Sequence, residues 1–200
     1  MMPPMKNLRH LLIALSLVAG SAFAADTPIA MFGVELGSRF NHSVSVAALD
    51  GSEVVYLLRV PKRNLLTTPG ISLAGMRLPA YVSSMGRVML AALPADELQR
   101  VLDASDLRAL TPKTIWQRAA LEEEIRKCGR QGYSLIVDEM EEGLSAVAAP
   151  IIDAGGRTIA AMNIAFNTGA VKRQELLNTV LPELRQAVTR LNSILSLNAG

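Results

Sequence analysis

Apolar and polar positions alternate from Ser43 to Leu49, and a second apolar run covers Val54 to Val60. Asp50-Gly51 between them supplies the residues a tight turn needs, so the pair predicts a β-hairpin. Pro69 and Gly70 punctuate the stretch from Pro61 to Gly75, which predicts a loop with little regular structure. Arg77 to Val82 leads into Ser83-Ser84, and the apolar spacing from Met85 to Leu93 predicts a helix with a serine cap. Pro94-Ala95-Asp96-Glu97 opens a second short helix, with proline at its start and acids in its first turn. Thr114-Ile115-Trp116-Gln117 has the capping-box spacing and introduces a helix through Leu121, Ile125 and Cys128, ended by Gly129 to Gly132.

Beyond that helix, Tyr133–Val137 predicts a strand, and Ser145–Ile152 and Thr158–Phe166 predict two more, the latter pair joined by the hairpin turn Asp153-Ala154-Gly155-Gly156-Arg157. From Lys172 to Leu197 the residues Leu176, Val180, Leu184, Ala187, Val188, Leu191 and Leu195 form one helical stripe, which Pro182 bends or breaks in two. Helices between and after antiparallel strand pairs define the class as α+β, helices packed on an antiparallel sheet, with a long C-terminal helix.

Half of the 200 residues are apolar and 19% are charged, which excludes a disordered chain and permits one domain with a full core. The formal charge of +2 comes with a basic N-terminus that has no acidic residue before Asp26, and no basic face for nucleic acid emerges. Lys6, Arg9 and His10 precede the apolar run Leu11–Ala19, and Gly20-Ser21-Ala22-Phe23-Ala24 follows. Basic, apolar and small-residue regions in that order predict a secretory leader in residues 1–24, cut after Ala24, and a short connector in residues 25–33. The apolar run is shorter than the roughly 20 residues a permanent span requires, and no later segment is apolar enough to cross a membrane.

Little in the sequence points to catalysis. His10 falls in the leader-like segment and His42 opens a strand, where a structural role is expected, so no Ser-His-acid or Cys-His set can be assembled. Cys128 is the one cysteine, too few for a disulfide or a Cys-rich metal site, and is expected simply to pack in its helix. The Asp138/Glu139/Glu141/Glu142 run has no fixed ligand spacing and is expected to be a solvated turn. Gly155-Gly156 matches no phosphate loop. No enzyme, cofactor or metal is expected.

Several segments follow one another in a telling order: Arg39-Phe40-Asn41-His42-Ser43-Val44-Ser45, Glu53 to Val60, Arg77 to Arg87, Leu110-Thr111, Gly132-Tyr133-Ser134, Asp138-Glu139, Glu142-Gly143-Leu144 and Ala148-Ala149-Pro150-Ile151. From Val34 to Leu197 the chain resembles the effector-binding domain of IclR-family transcriptional regulators, particularly the branch that controls degradation of aromatic acids such as protocatechuate and 4-hydroxybenzoate. The resemblance implies a GAF- or profilin-like fold, assembly into homodimers or homotetramers, and a pocket for a small organic acid on one face of the sheet. It implies that backbone amides at Ser84 and Met85 hold the acid, with Ser83 and Gly86 in the same segment, and that Ile136, Ala146, Asn163 and Ala165 line the pocket. A helix start offers unpaired N–H groups to an anion, and Gly86 is expected to let the ligand approach the backbone. Three of the four lining positions are apolar, which favours an aromatic acid, or a dicarboxylic or other ring-cleavage product, over small keto acids.

Family members carry a winged helix-turn-helix ahead of this domain, and none is expected in this chain, so direct DNA contact by it is not expected either. The leading expectation is therefore a sensing and oligomerising domain, with full-length IclR-type regulators as further partners. An exported periplasmic small-acid-binding protein is the alternative, and a fusion or gene-start artefact in residues 1–33 a third. Localisation follows the choice: cytoplasmic for a regulator, periplasmic or secreted if the leader is used.

Overall fold

The structure is a computed structural model that describes residues 28–62 and 75–197. The leader-like segment and most of the Pro61–Gly75 loop lie outside the described residues.

Helix α1 (Pro28–Phe40) opens the fold and starts inside the stretch expected as a connector. Proline suits a first helical position, and Ile29, Phe32 and Leu36 form a buried stripe at helical spacing. Strands β1 (Ser43–Asp50) and β2 (Glu53–Val60) make the expected hairpin, with Gly51 at positive φ in the turn. The short strand β3 (Arg77–Pro79) pairs with β2 and runs into a 3-10 turn at Ala80–Val82. Helix α2 (Ser84–Leu90) follows, ending three residues before the expected Leu93, and α3 (Ala95–Asp103) has Asp96 and Glu97 in its first turn.

Helix α4 (Arg118–Gln131) ends at Gly132 in the left-handed conformation, but the expected capping box is not formed. Gln117 precedes the helix without a side-chain cap, because the Thr114 hydroxyl is used elsewhere: it accepts from the N–H groups of Leu110 and Thr111 and donates to the Glu139 carbonyl. Strands β4 (Ser134–Val137), β5 (Leu144–Ile152) and β6 (Thr158–Asn167) complete the sheet.

The C-terminal segment has three parts: a helical turn at Arg173–Glu175, a π-helical turn at Leu176–Val180 and helix α5 (Leu181–Leu197). Pro182 lacks an N–H and cannot continue an α ladder. The π turn precedes it, with the Leu181 N–H donating to the Leu176 carbonyl five residues back. Every residue of the expected stripe, from Leu176 to Leu195, is buried.

Among the described residues the six strands are all antiparallel, in the order β3-β2-β1-β6-β5-β4. Side-chain alternation divides the core between the two faces of the sheet. One face carries Val44, Val46, Val147, Ile151, Met162, Ile164 and Phe166 under α1 and the C-terminal helix. Arg39–Glu183 at 2.8 Å, and Arg190 over the Phe32 ring at 4.6 Å, tie those two helices together. The other face is built from small residues, Ala47, Ala148 and Ala161, under the 3-10 turn, α2 and α4. The expected α+β class, with helices on an antiparallel sheet and a long C-terminal helix, is what the chain adopts.

Candidate effector site

The second face holds the candidate site, and its chemistry starts at α2. Ser83 is extended (φ −95°, ψ 134°), and its hydroxyl accepts from the Gly86 N–H at 3.3 Å. The Ser83 carbonyl accepts from the Arg87 N–H at 2.9 Å. Among the described residues this leaves the Ser84 and Met85 N–H groups unpaired at a positive helix end. Ser83 is thus the cap, and Ser84 and Met85 are the residues whose amides remain free. The Ser84 hydroxyl is itself buried and has no hydrogen-bond partner.

Strand register brings the four residues expected to line a pocket onto one face of the sheet. Ile136 pairs with Ala146, Ala146 with Ala165, and Ala165 with Ser43, making one row across four strands. The neighbouring row runs Ser134, Ala148, Asn163, Ser45. Both rows face α2, which packs on β5 and β6. Ile136, Ala146 and Asn163 are buried, whereas Ala165 is partly exposed. The Asn163 Oδ1, like the Ser84 hydroxyl, is buried without a partner. Ser134 Oγ, in the same row as Asn163, is the third such atom among the described residues. Leaving a buried polar group unpaired costs about 1–3 kcal/mol, so these atoms on facing elements mark a place suited to a polar guest.

Gly86 departs from its expected role. A Cβ built there would lie 2.5 Å from the Ala80 Cα and 2.6 Å from its carbonyl carbon, with the carbonyl oxygen closer still. The missing side chain lets the 3-10 turn pack against the helix, and the space beside Gly86 is filled by protein rather than open to a ligand.

The acidic run also departs from expectation. Glu141 and Glu142 are exposed, but Asp138 and Glu139 are buried. Glu139 receives both terminal nitrogens of Arg87, at 2.8 and 2.5 Å, and Arg87 is only 1% exposed. Asp138 sits at positive φ (57°), and its carboxylate accepts from Lys113 Nζ, the Gly143 N–H and Thr168 Oγ1. The Lys113 ammonium and the Thr168 hydroxyl hold its carboxyl down at about 2. Neither acid points to a metal site, and the described residues contain no cluster of three or more metal-ligating side chains.

The remaining singled-out residues are structural. His42 stacks at 5.6 Å from the Phe166 ring, and burial, reinforced by Lys62, lowers its pKa. Cys128 is buried in α4 beside Ser134, and burial pushes its thiol up. Sequence reasoning missed the Arg87–Glu139 pair and the polar row members Ser45 and Ser134. The alternation of Ser43-Val44-Ser45-Val46 carried a signal for Ser45, since it places the serines opposite the valines. Nothing local announces a pair 52 residues apart.

A helix start with free amides thus faces a floor of small residues and one buried amide side chain, an arrangement able to hold a small polar molecule. The chain belongs to the family described as bacterial transcriptional regulator IclR C-terminal, which it matches over residues 30–193. It is 34% identical over 175 residues to the Pca regulon regulatory protein of Pseudomonas putida, covering 86% of this chain and 60% of that protein. It therefore spans about 60% of that relative's length, under two thirds. A putative transcriptional regulator from Rhodococcus sp. RHA1 superposes with a TM-score of 0.78 at 36% identity, over 90% of this chain and 73% of the other. The inducer-binding domain of an Acinetobacter PobR double mutant, solved with 3-hydroxybenzoic acid, superposes with a TM-score of 0.73 at 32% identity, over 81% of this chain and 94% of the other. These relatives are regulators rather than enzymes. Among the described residues, no helix is long and apolar enough to cross a membrane.

Proposed function

We propose that this domain senses a hydroxylated aromatic acid and serves a regulator of aromatic-acid catabolism. In this reading the effector carboxylate sits on the Ser84 and Met85 N–H groups, whose partial positive charge favours an anion. Its ring lies over the small residues Ala146 and Ala165 beside Ile136, and its hydroxyl donates to Asn163 Oδ1, an acceptor that a carboxylate cannot satisfy. No free cation is needed, because Arg87 is already neutralised by Glu139. The observation that carries this reading is the pair of buried, unpartnered polar atoms, Ser84 Oγ and Asn163 Oδ1, on two elements that face each other. The hydroxybenzoate held by the PobR domain supports the chemical class. Assembly as a homodimer or homotetramer, and pairing with full-length regulators, belong to the same proposal and are read by light scattering and co-purification.

The test is calorimetric titration with 3- and 4-hydroxybenzoate and protocatechuate beside benzoate, glyoxylate and pyruvate. Saturable binding of the hydroxy acids, weaker for benzoate, is expected. Binding confined to the two keto acids refutes the proposal.

A further inference from the structure

We infer that the buried Arg87–Glu139 pair is a positioning element of the effector site, setting the direction in which the free amides at the α2 start point. The inference rests on the site proposed above. Arg87 lies one turn beyond Ser84 on α2, and all three of its nitrogens are engaged. Nε donates to the Tyr81 carbonyl at 2.7 Å, and the two terminal nitrogens grip the two oxygens of Glu139. Arg87 is therefore not a docking group for an anion. Glu139 follows the lining residue Ile136 by one turn of chain beyond β4. Its Oε2 also accepts from the Ile115 N–H at 3.0 Å, and its carbonyl from the Thr114 hydroxyl at 2.6 Å. One guanidinium thus joins the turn before α2, the end of β4 and the segment leading to α4.

The chemistry of the pair explains why it sits there. A fully buried ion pair is a costly way to stabilise a fold, since apolar residues of the same volume do as well or better. What apolar packing does not supply is a planar, two-bond grip that resists rotation. A helix of two turns resting on alanines can tilt, and a tilt swings the Ser84 and Met85 N–H groups away from a bound carboxylate. Geometry held to within roughly 0.5 Å is what such a site requires. Lysine cannot replace arginine here, because an ammonium is a point charge without the fork.

The test compares the wild-type chain with Arg87→Lys and with the paired replacement Arg87→Met/Glu139→Met, which removes both charges and keeps apolar volume. Three quantities are read: Tm, Kd for 4-hydroxybenzoate, and amide hydrogen exchange of residues 83–87. The double variant is expected to melt within a few degrees of wild type, yet to bind the probe at least tenfold more weakly and exchange its α2-start amides at least tenfold faster. Arg87→Lys is expected to show the same local loss. A merely structural pair would restore affinity and protection together with Tm. Local exchange within twofold of wild type in a variant of wild-type Tm overturns the inference, as does an unchanged Kd. Should the wild type bind none of the hydroxy acids, the effector proposal fails by itself, and exchange at residues 83–87 alone decides the role of the pair.

Discussion

Gly86→Ala and Gly129→Ala are the same chemical change in two helices, and the structure gives them opposite signs. At Gly129 in α4 a new methyl meets Ala91 O at 3.6 Å, an ordinary contact. Alanine should there stabilise the protein by about 0.5–1 kcal/mol, the usual gain on removing a glycine from a helix interior. At Gly86 the same gain is swamped. The methyl would lie 2.5–2.6 Å from Ala80 Cα and carbonyl carbon, so the backbone of the turn must move by close to an ångström. Ala80 is fully buried, and it is held by its N–H to the Ser52 carbonyl at 2.9 Å and its carbonyl to the Ser83 N–H at 3.2 Å. Overpacking costs about 1–3 kcal/mol and a weakened hydrogen bond about 1 kcal/mol, which less the glycine-to-alanine gain leaves a net loss of about 1–3.5 kcal/mol. For a domain of this size that lowers Tm by roughly 2–14 °C, read by circular dichroism with a urea midpoint as a second measure. A Gly86→Ala protein that melts at or above the wild-type temperature while losing affinity for hydroxybenzoate refutes the packing role. It would restore the expectation that Gly86 makes room for a ligand.

Other substitutions probe the same face. Ser83→Ala removes the cap of α2 and should cost about 1 kcal/mol, a fall of about 2–4 °C in Tm; an unchanged Tm would mean the 3.3 Å cap bond contributes nothing. Asn163→Leu deletes a buried acceptor that has no partner, so the ligand-free protein should gain about 1 kcal/mol or more while the melting shift produced by hydroxybenzoate disappears. Destabilisation of the ligand-free protein would instead show that Asn163 is satisfied internally. Asp138, at about 2 when folded, lies below the unfolded value of about 3.9. Its stabilising contribution is therefore present above pH 4 and lost as pH falls toward 2. Urea midpoints measured across that window should fall less steeply for Asp138→Asn than for wild type; parallel curves would count against the Lys113 and Thr168 contacts.

The strands and the C-terminal stripe were legible because their periodicity is local: every residue of the stripe from Leu176 to Leu195 is buried as its spacing demanded. Helix α1 carries the same kind of signal in Ile29, Phe32 and Leu36, but it was obscured by the connector expected after a leader. The lining residues were placed by resemblance, and strand register then put them on one face. Three misjudgements share a cause, which is that the partner lies outside the helical turn or acidic run that was read, in a neighbouring turn for Gly86 and 25 and 52 residues away for Thr114 and Glu139. Gly86 answers to the backbone of Ala80, Thr114 to the Glu139 carbonyl, and Glu139 to Arg87. A capping box or an acidic run is a statement about neighbours in sequence, and tertiary hydrogen bonds claimed those groups first.

The unequal faces of the sheet bear on how such a domain can change. The larger strand side chains, α1 and the C-terminal helix sit on one side, and the alanines with α2 and α4 on the other, separated by the backbone of the sheet. Substitutions on opposite sides share no partners, so their effects on stability should simply add. If the proposed site is the effector site, exchanging Ala146 or Ala165 for bulkier residues changes which molecule fits while the other side continues to hold the fold. A lineage, or an engineer, can therefore rewrite the chemical vocabulary of the sensor one alanine at a time without renegotiating its architecture.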